Sequence, residues 1–202
     1  MRRREMLEFA VLGLLHESPL HGYELRRRLN TRLGAFRALS FGTLYPCLAS
    51  LQGQDLVSVD HDAARASGTR RQRITYTITD AGREAFATIA GRTDPSSWAD
   101  DAFDVRLAFF TRTEREVRLR ILEGRRARLA EQLSAMRDGE RLERLDPWTA
   151  ALHSHGEDAI ERAVSWLDEL IDAERRTPQV RRGSLSDPAH PAFNPPPIKE
   201  IP

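Results

Sequence analysis

The sequence predicts a mainly α-helical chain with one small β-hairpin, built as a compact amino-terminal unit followed by a helical region. Three observations predict it. Apolar residues recur at helical spacing through residues 6–54 and again through residues 100–175. Two short runs of β-branched residues, 56–59 and 73–79, interrupt that pattern once. A break at Asp94-Pro95-Ser96-Ser97 separates a basic half from an acidic one.

The elements follow in order. Leu7, Val11, Leu14 and Leu15 stand at i, i+4, i+7 and i+8, which predicts a buried helix over residues 6–17 that Ser18-Pro19 ends. A second helix is expected over residues 20–33. Leu25, Leu29 and Leu33 lie on one face, Arg26, Arg27, Arg28 and Arg32 mostly on the other, and Gly34 is the stop. A third helix spans residues 40–54 with Leu44, Leu48 and Leu51 as its core stripe. Pro46 fits best in a first turn, so this helix is expected to begin near Gly42 or Thr43. The runs 56–59 and 73–79 are the strands of a hairpin with a long polar tip, residues 60–72. Thr79 or Asp80 then caps a fourth helix running to Ala90. Three helices followed by a two-stranded hairpin is the winged helix-turn-helix order, in which one helix enters the major groove of DNA and the wing reaches backbone or minor groove.

Beyond residue 94 the pattern is helical. Residues 100–110 place Phe103, Leu107 and Phe110 on one side of a short helix. A long helix is expected over residues 113–145, where Leu119, Leu122, Leu129, Leu133 and Met136 form a coiled-coil-like seam with Arg126 at the missing position. Asp146-Pro147 interrupts, and a last helix over residues 157–175 carries the stripe Ile160, Val164, Leu167 and Ile171. These helices read as packing against a second copy of the chain through those two stripes. Seven of the eleven prolines lie between Pro178 and Pro202, which predicts a disordered tail. The expected division is therefore residues 1–92, 96–176 and 177–202.

Charge sharpens that division. Residues 1–92 hold 14 arginines against 9 acidic residues, and residues 93–176 hold 14 against 19. A net +5 beside a net −5 directs a polyanion to the first part. Lys199 is the only lysine; an arginine excess over the whole chain points to genomic base composition as readily as to phosphate contact. The single cysteine, Cys47, allows no intramolecular disulfide and reads as a small apolar packing residue. Arg2-Arg3-Arg4 and the apolar run behind it are interrupted by Glu5 and Glu8 and precede no cleavage site, and no segment reaches the roughly 20 apolar residues of a membrane span. A cytoplasmic chain with no membrane partner is expected.

The segments Leu20-His21-Gly22-Tyr23-Glu24-Leu25, Gly42-Thr43-Leu44-Tyr45-Pro46 with Leu48 and Leu51, and Tyr76-x-Ile78-Thr79-x-x-Gly82 resemble, in order and spacing, the PadR family of transcriptional regulators. The resemblance covers roughly residues 6–92, and Asp100 to Phe110 also looks like the start of that family's carboxy-terminal helical region. It implies a homodimer with winged helices on double-stranded DNA, commonly a repressor that an effector releases from its operator.

The residues expected to meet DNA are Ser40, Thr43 and Tyr45 on the third helix, Arg65, Arg70, Arg71 and Arg73 at the wing tip, and Tyr76 on the second wing strand. The competing readings are that Thr43 only caps, Tyr45 only packs and the arginine tip is a solvated loop. His21 and Tyr23 read as structural, with His21 capping or hydrogen-bonding within the second helix. Trp98, Phe103, Trp148 and Trp166 are candidates for a cavity holding a small aromatic effector, against the alternative that each simply packs. His153, His155 and Glu157 form no ligand cluster, so no metal and no cofactor are expected. No nucleophile elbow, phosphate loop or dinucleotide fingerprint is present, which argues against an enzyme. The remaining alternative is a winged helix that binds only protein.

Overall fold

A computed structural model describes residues 3–34, 41–60, 74–138 and 146–177. The chain divides into two compact units, Met1–Glu114 and Arg115–Pro202.

The first unit is assembled around α1 (Arg3–Leu15). Every residue from Phe9 to Leu15 is buried, so this helix is apolar nearly all round and runs through the core. Packed on it are α2 (Gly22–Leu33), α3 (Phe41–Gly53) and α4 (Asp80–Ala90). Leu25 and Leu29 of α2 and Leu44, Leu48 and Leu51 of α3 are buried, as their spacing requires. Gly34 ends α2 with a φ of 72°, the left-handed region that glycine enters without a Cβ penalty.

The sheet has three strands in the order β1-β3-β2: β1 (Leu20–His21), β2 (Val57–Asp60) and β3 (Thr75–Ile78). Both pairings are antiparallel, with Val57 opposite Ile78, Asp60 opposite Thr75 and Leu20 opposite Tyr76. Leu20 and His21 are thus strand, not the first turn of α2. Their backbone groups bond to a partner more than fifty residues away, and no local pattern reports that. The His21 side chain also bonds outward from its own helix: Nδ1 lies 3.3 Å from the Ile74 carbonyl oxygen and 3.2 Å from the Thr75 hydroxyl. It makes no cap bond in α2.

One threonine joins the sheet to α4. Thr79 caps the helix by accepting from the Gly82 N–H at 3.0 Å, and its hydroxyl donates to the Asp55 carbonyl at 2.7 Å. Asp55 needs that support, because its φ of 56° is one that non-glycine residues seldom adopt. Gly82 supplies the clearance: a Cβ there would lie 2.1 Å from the Leu56 carbonyl oxygen.

The first unit extends past the break at residues 94–97. There Asp94 caps a single 3-10 turn, Pro95–Ser97, and α5 (Asp100–Leu107) follows. Ala102, Val105 and Phe109 join the core of α1. Phe9 stacks on Phe86 at 4.9 Å and meets Phe109 edge-on at 5.5 Å. Arg106, buried beside them, donates to the carbonyls of Ile89, Ala90 and Arg92 at 3.0, 2.8 and 2.7 Å and so closes the end of α4. The segment expected to open the helical region is thus part of the amino-terminal core.

His16 follows α1 and faces two cations. The guanidinium of Arg112 donates to its Nδ1 at 3.0 Å, that of Arg83 approaches at 3.4 Å, and the ring lies 5.7 Å from Phe86. Partial burial and then Arg112 hold its pKa below the ordinary 6.5, outweighing nearby Glu17. The folded chain therefore takes up this proton less readily than the unfolded chain, and acid favours unfolding. This part of the stability is expected to be complete above about pH 6.5 and to drain away below it. The check is the urea midpoint between about pH 7.5 and 5 for wild type and His16→Gln; an equal fall in both would contradict it.

The second unit is a hairpin of α6 (Arg115–Asp138) and α7 (Pro147–Arg176). Arg115 bonds to the carbonyls of Glu174 and Arg175, Arg126 pairs with Asp168, and Arg137 pairs with Glu157 and Glu161. Rising numbers on one helix against falling numbers on the other make the pair antiparallel. Ile121, Leu122, Leu129, Leu167, Leu170 and Ile171 are buried, and so is the ion pair of Arg118 with Glu174. Asp146-Pro147 starts α7 where a break was expected. The Asp146 carboxylate accepts from the N–H groups of Trp148 and Thr149 at 2.9 and 3.1 Å, and proline suits the first helical position. The helix thus begins ten residues before the expected start at Glu157. The proline-rich segment 178–202 lies outside the described residues.

Candidate nucleic-acid interface

α3 has two faces. Leu44, Cys47, Leu48 and Leu51 turn inward, while Thr43, Tyr45, Pro46 and Ala49 are exposed. The helix starts at Phe41, so Pro46 lies beyond the first turn, on this outer face. Tyr45 is 47% exposed and its ring borders Gly22 of α2. Two of the three residues expected on this surface, Thr43 and Tyr45, are therefore exposed on one helix. Ser40 lies outside the described residues, as do Arg65, Arg70, Arg71 and Arg73. β2 and β3 end at the Asp60–Thr75 pair, and the arginine-bearing segment 61–73 joins them there.

Tyr76 is a correction. It was expected to face DNA from the second wing strand, but it is buried in the core of the first unit, with burial holding its phenol pKa above the ordinary value and Tyr45 adding to the rise. Alternation along β3 gives the reason: Tyr76 and Ile78 share one side of the strand, and that side is the core side. Tyr23 departs in the opposite sense. Read as structural, it stands 68% exposed in the first turn of α2. Exposure of an aromatic there was not legible from the helical stripe, which carries only Leu25 and Leu29 inward.

The arginines of α2 are largely committed. Glu24 pairs with Arg27 at 3.0 Å and Arg28 at 2.9 Å, and Glu17 pairs with Arg32 at 2.5 Å. A depression of about 480 Å³ beside them is lined by these same carboxylates and guanidiniums, so its charges are largely matched in place. Cys47 is buried, and burial pushes its thiol up to about 12, outweighing Arg4. A thiol so protonated is a packing group rather than a redox-reactive one.

The four aromatic residues expected around an effector are divided between the two units. Trp98 and Phe103 belong to the first unit, half-buried and buried respectively. Trp148 and Trp166 are both on α7, eighteen residues apart. At about 1.5 Å per residue that separation is about 27 Å, too long for one ligand-sized cavity within a protomer. Trp148 is 86% exposed and Trp166 half-buried. Of the expected dimer stripes, Leu122, Leu129, Leu167 and Ile171 are buried within the single hairpin, and Leu119, Leu133, Ile160 and Val164 are half-buried. Among the described residues no group of three or more metal-ligating side chains occurs, and no helix is long and apolar enough to cross a membrane.

Residues 11–88, from the last turn of α1 to near the end of α4, match the model of the transcriptional regulator PadR-like family. Within that segment the chain is similar to the PadR-like family, over 78 of its 202 residues. That family is one of transcriptional regulators. The PadR-like segment is 29% identical over 79 residues to the negative transcriptional regulator PadR of Bacillus subtilis, a match covering 39% of this chain and 42% of that one. Similar solved structures include Bacillus subtilis PadR in complex with operator DNA, at 20% identity and a TM-score of 0.41, over 83% of this chain and 98% of that one. The same protein in complex with p-coumaric acid matches at 20% identity and a TM-score of 0.39, over 84% and 99%.

Proposed function

We propose that this PadR-like chain is a DNA-binding regulator of transcription that works in the cytoplasm as a homodimer and represses by occupying a pseudo-palindromic operator. The observation that carries the reading is the outer face of α3, where Thr43 and Tyr45 stand clear of a core filled by Leu44, Leu48 and Leu51. Hydroxyl and phenol groups on such a face donate to phosphates or base edges. The segment 61–73, with Arg65, Arg70, Arg71 and Arg73, supplies the cationic wing. Repression follows the curated relative, a negative regulator.

Dimerisation is assigned to the α6–α7 hairpin through the half-buried Leu119, Leu133, Ile160 and Val164. It is supported by Trp148 and Leu152, which stand 86% and 69% exposed one turn apart at the start of α7. A small planar aromatic compound is the effector class assigned to this chain, with Trp98 and Phe103 in the first unit and Trp148 and Trp166 in the second each a separate candidate for stacking on it. Quenching or a shift of tryptophan emission by phenolic acids supports it, and no change with any of them overturns it.

The test of DNA binding is a mobility-shift assay across a range of salt with the DNA upstream of the chain's own gene. Arg70→Ala with Arg71→Ala is expected to weaken binding to every sequence and to reduce the slope of log K against log salt by about 0.9 for each lost phosphate contact. An unchanged slope removes these arginines from the interface, and no shift at low salt leaves the protein-only winged helix as the reading.

A further inference from the structure

Gly22 opens α2 and is buried. Its backbone does not call for glycine, since among the described glycines only Gly34 has a positive φ. A glycine at such a position forgoes the stability that alanine gives a helix. What it provides is room. A Cβ at position 22 would lie 3.2 Å from the Tyr45 hydroxyl oxygen, 3.3 Å from Cε1 and 3.5 Å from Cζ. Those separations fall at or inside ordinary van der Waals contact. The clearances at Gly13 and Gly82 serve Phe109 and the Leu56 backbone, both within the core; the one at Gly22 serves a ring that is 47% exposed.

Tyr45 therefore lies against the first turn of α2 while its other side faces solvent. A methyl group at position 22 is relieved by moving this ring, not by opening the core. The buried Tyr76 stands on β3, and Tyr45 contributes to the rise of its phenol pKa, so the two hydroxyls are within electrostatic reach. The ring is thus bordered by α2 on one side and lies near the sheet.

We propose that Gly22 is a positioning residue for DNA readout: its missing side chain lets Tyr45 lie on the first turn of α2 and sets the direction in which the Tyr45 hydroxyl leaves α3. This rests on the DNA-binding reading above. Recognition groups work when held to within about 0.5 Å and 10–20° of their productive geometry, and a ring pivoted at its base carries its hydroxyl further than the atoms it is pushed by.

The experiment is a double-mutant cycle on the full chain: wild type, Gly22→Ala, Tyr45→Ala and the pair. Each is titrated with a duplex from upstream of its own gene and with a scrambled duplex of the same length. Gly22→Ala is expected to lower affinity for the upstream duplex about tenfold, leaving the scrambled duplex and Tm unchanged. In the Tyr45→Ala background there is no ring to displace, and the same substitution is expected to change affinity less than about twofold. Wild-type affinity in Gly22→Ala overturns the proposal, and so does an equal loss in both backgrounds, which is the mark of a folding defect. A wild-type chain with no preference for the upstream duplex overturns the DNA-binding reading, and this inference with it.

Discussion

Phe109→Ala is expected to lower the unfolding free energy by about 4–5 kcal/mol, near the upper end for loss of a buried phenylalanine. The ring is 1% exposed and meets Phe9 edge-on at 5.5 Å. It lies over Gly13 so closely that a Cβ there would be 2.5 Å away. The Arg32 guanidinium stands 5.2 Å from its centroid. The cavity left by the deletion is floored by a bare glycine, which has no side chain to relax into it, and that places the cost high. Urea unfolding measures it, and a loss under about 1 kcal/mol would contradict the packing described. The same contacts bear on the unit's boundary. A chain ending at Arg92 lacks Val105, Arg106 and Phe109, and is expected not to unfold cooperatively.

Arg106→Met is expected to cost about 3 kcal/mol. Methionine keeps most of the volume and removes the donors, so the loss reports the bonds. The Ile89 and Arg92 carbonyls have other donors, from the Gly91 and Arg92 N–H groups and from Ser97 Oγ. Among the bonds described, the Ala90 carbonyl has only the guanidinium. Burial draws the Arg106 pKa down to about 10, still charged at neutral pH, and its Nε is buried without a partner. Desolvation thus offsets part of what the three bonds contribute. Thermal and urea unfolding of Arg106→Met decide the balance, and an unchanged stability would mean that the bonds are worth no more than the burial they require.

Much of this unit was legible in local pattern. Leu25 with Leu29, and Leu44 with Leu48 and Leu51, announced the inward faces of α2 and α3, and the pair Thr79 and Asp80 announced a cap that the structure gives to Thr79, which accepts from Gly82 N–H. What depended on distant partners was not. Leu20 and His21 become strand only because β3 offers an open edge. Arg106 was passed over, although it sits three residues from both Phe103 and Phe109, which is the spacing of a shared helical face. Tyr76 was assigned to DNA through the family resemblance, while strict alternation with Ile78 already placed it inward. On the outer face, Thr43 and Tyr45 were legible because the leucine stripe leaves them no inward position. The role argued for Gly22 had no signal in the sequence, since it depends on where a side chain from another helix comes to rest.

DNase I footprinting of the full chain on DNA upstream of its own gene tests the central claim most directly. The account predicts two protected half-sites related by two-fold symmetry, with centres about 10 base pairs apart or a multiple of that. One asymmetric protected site, or no protection at low salt, would contradict it.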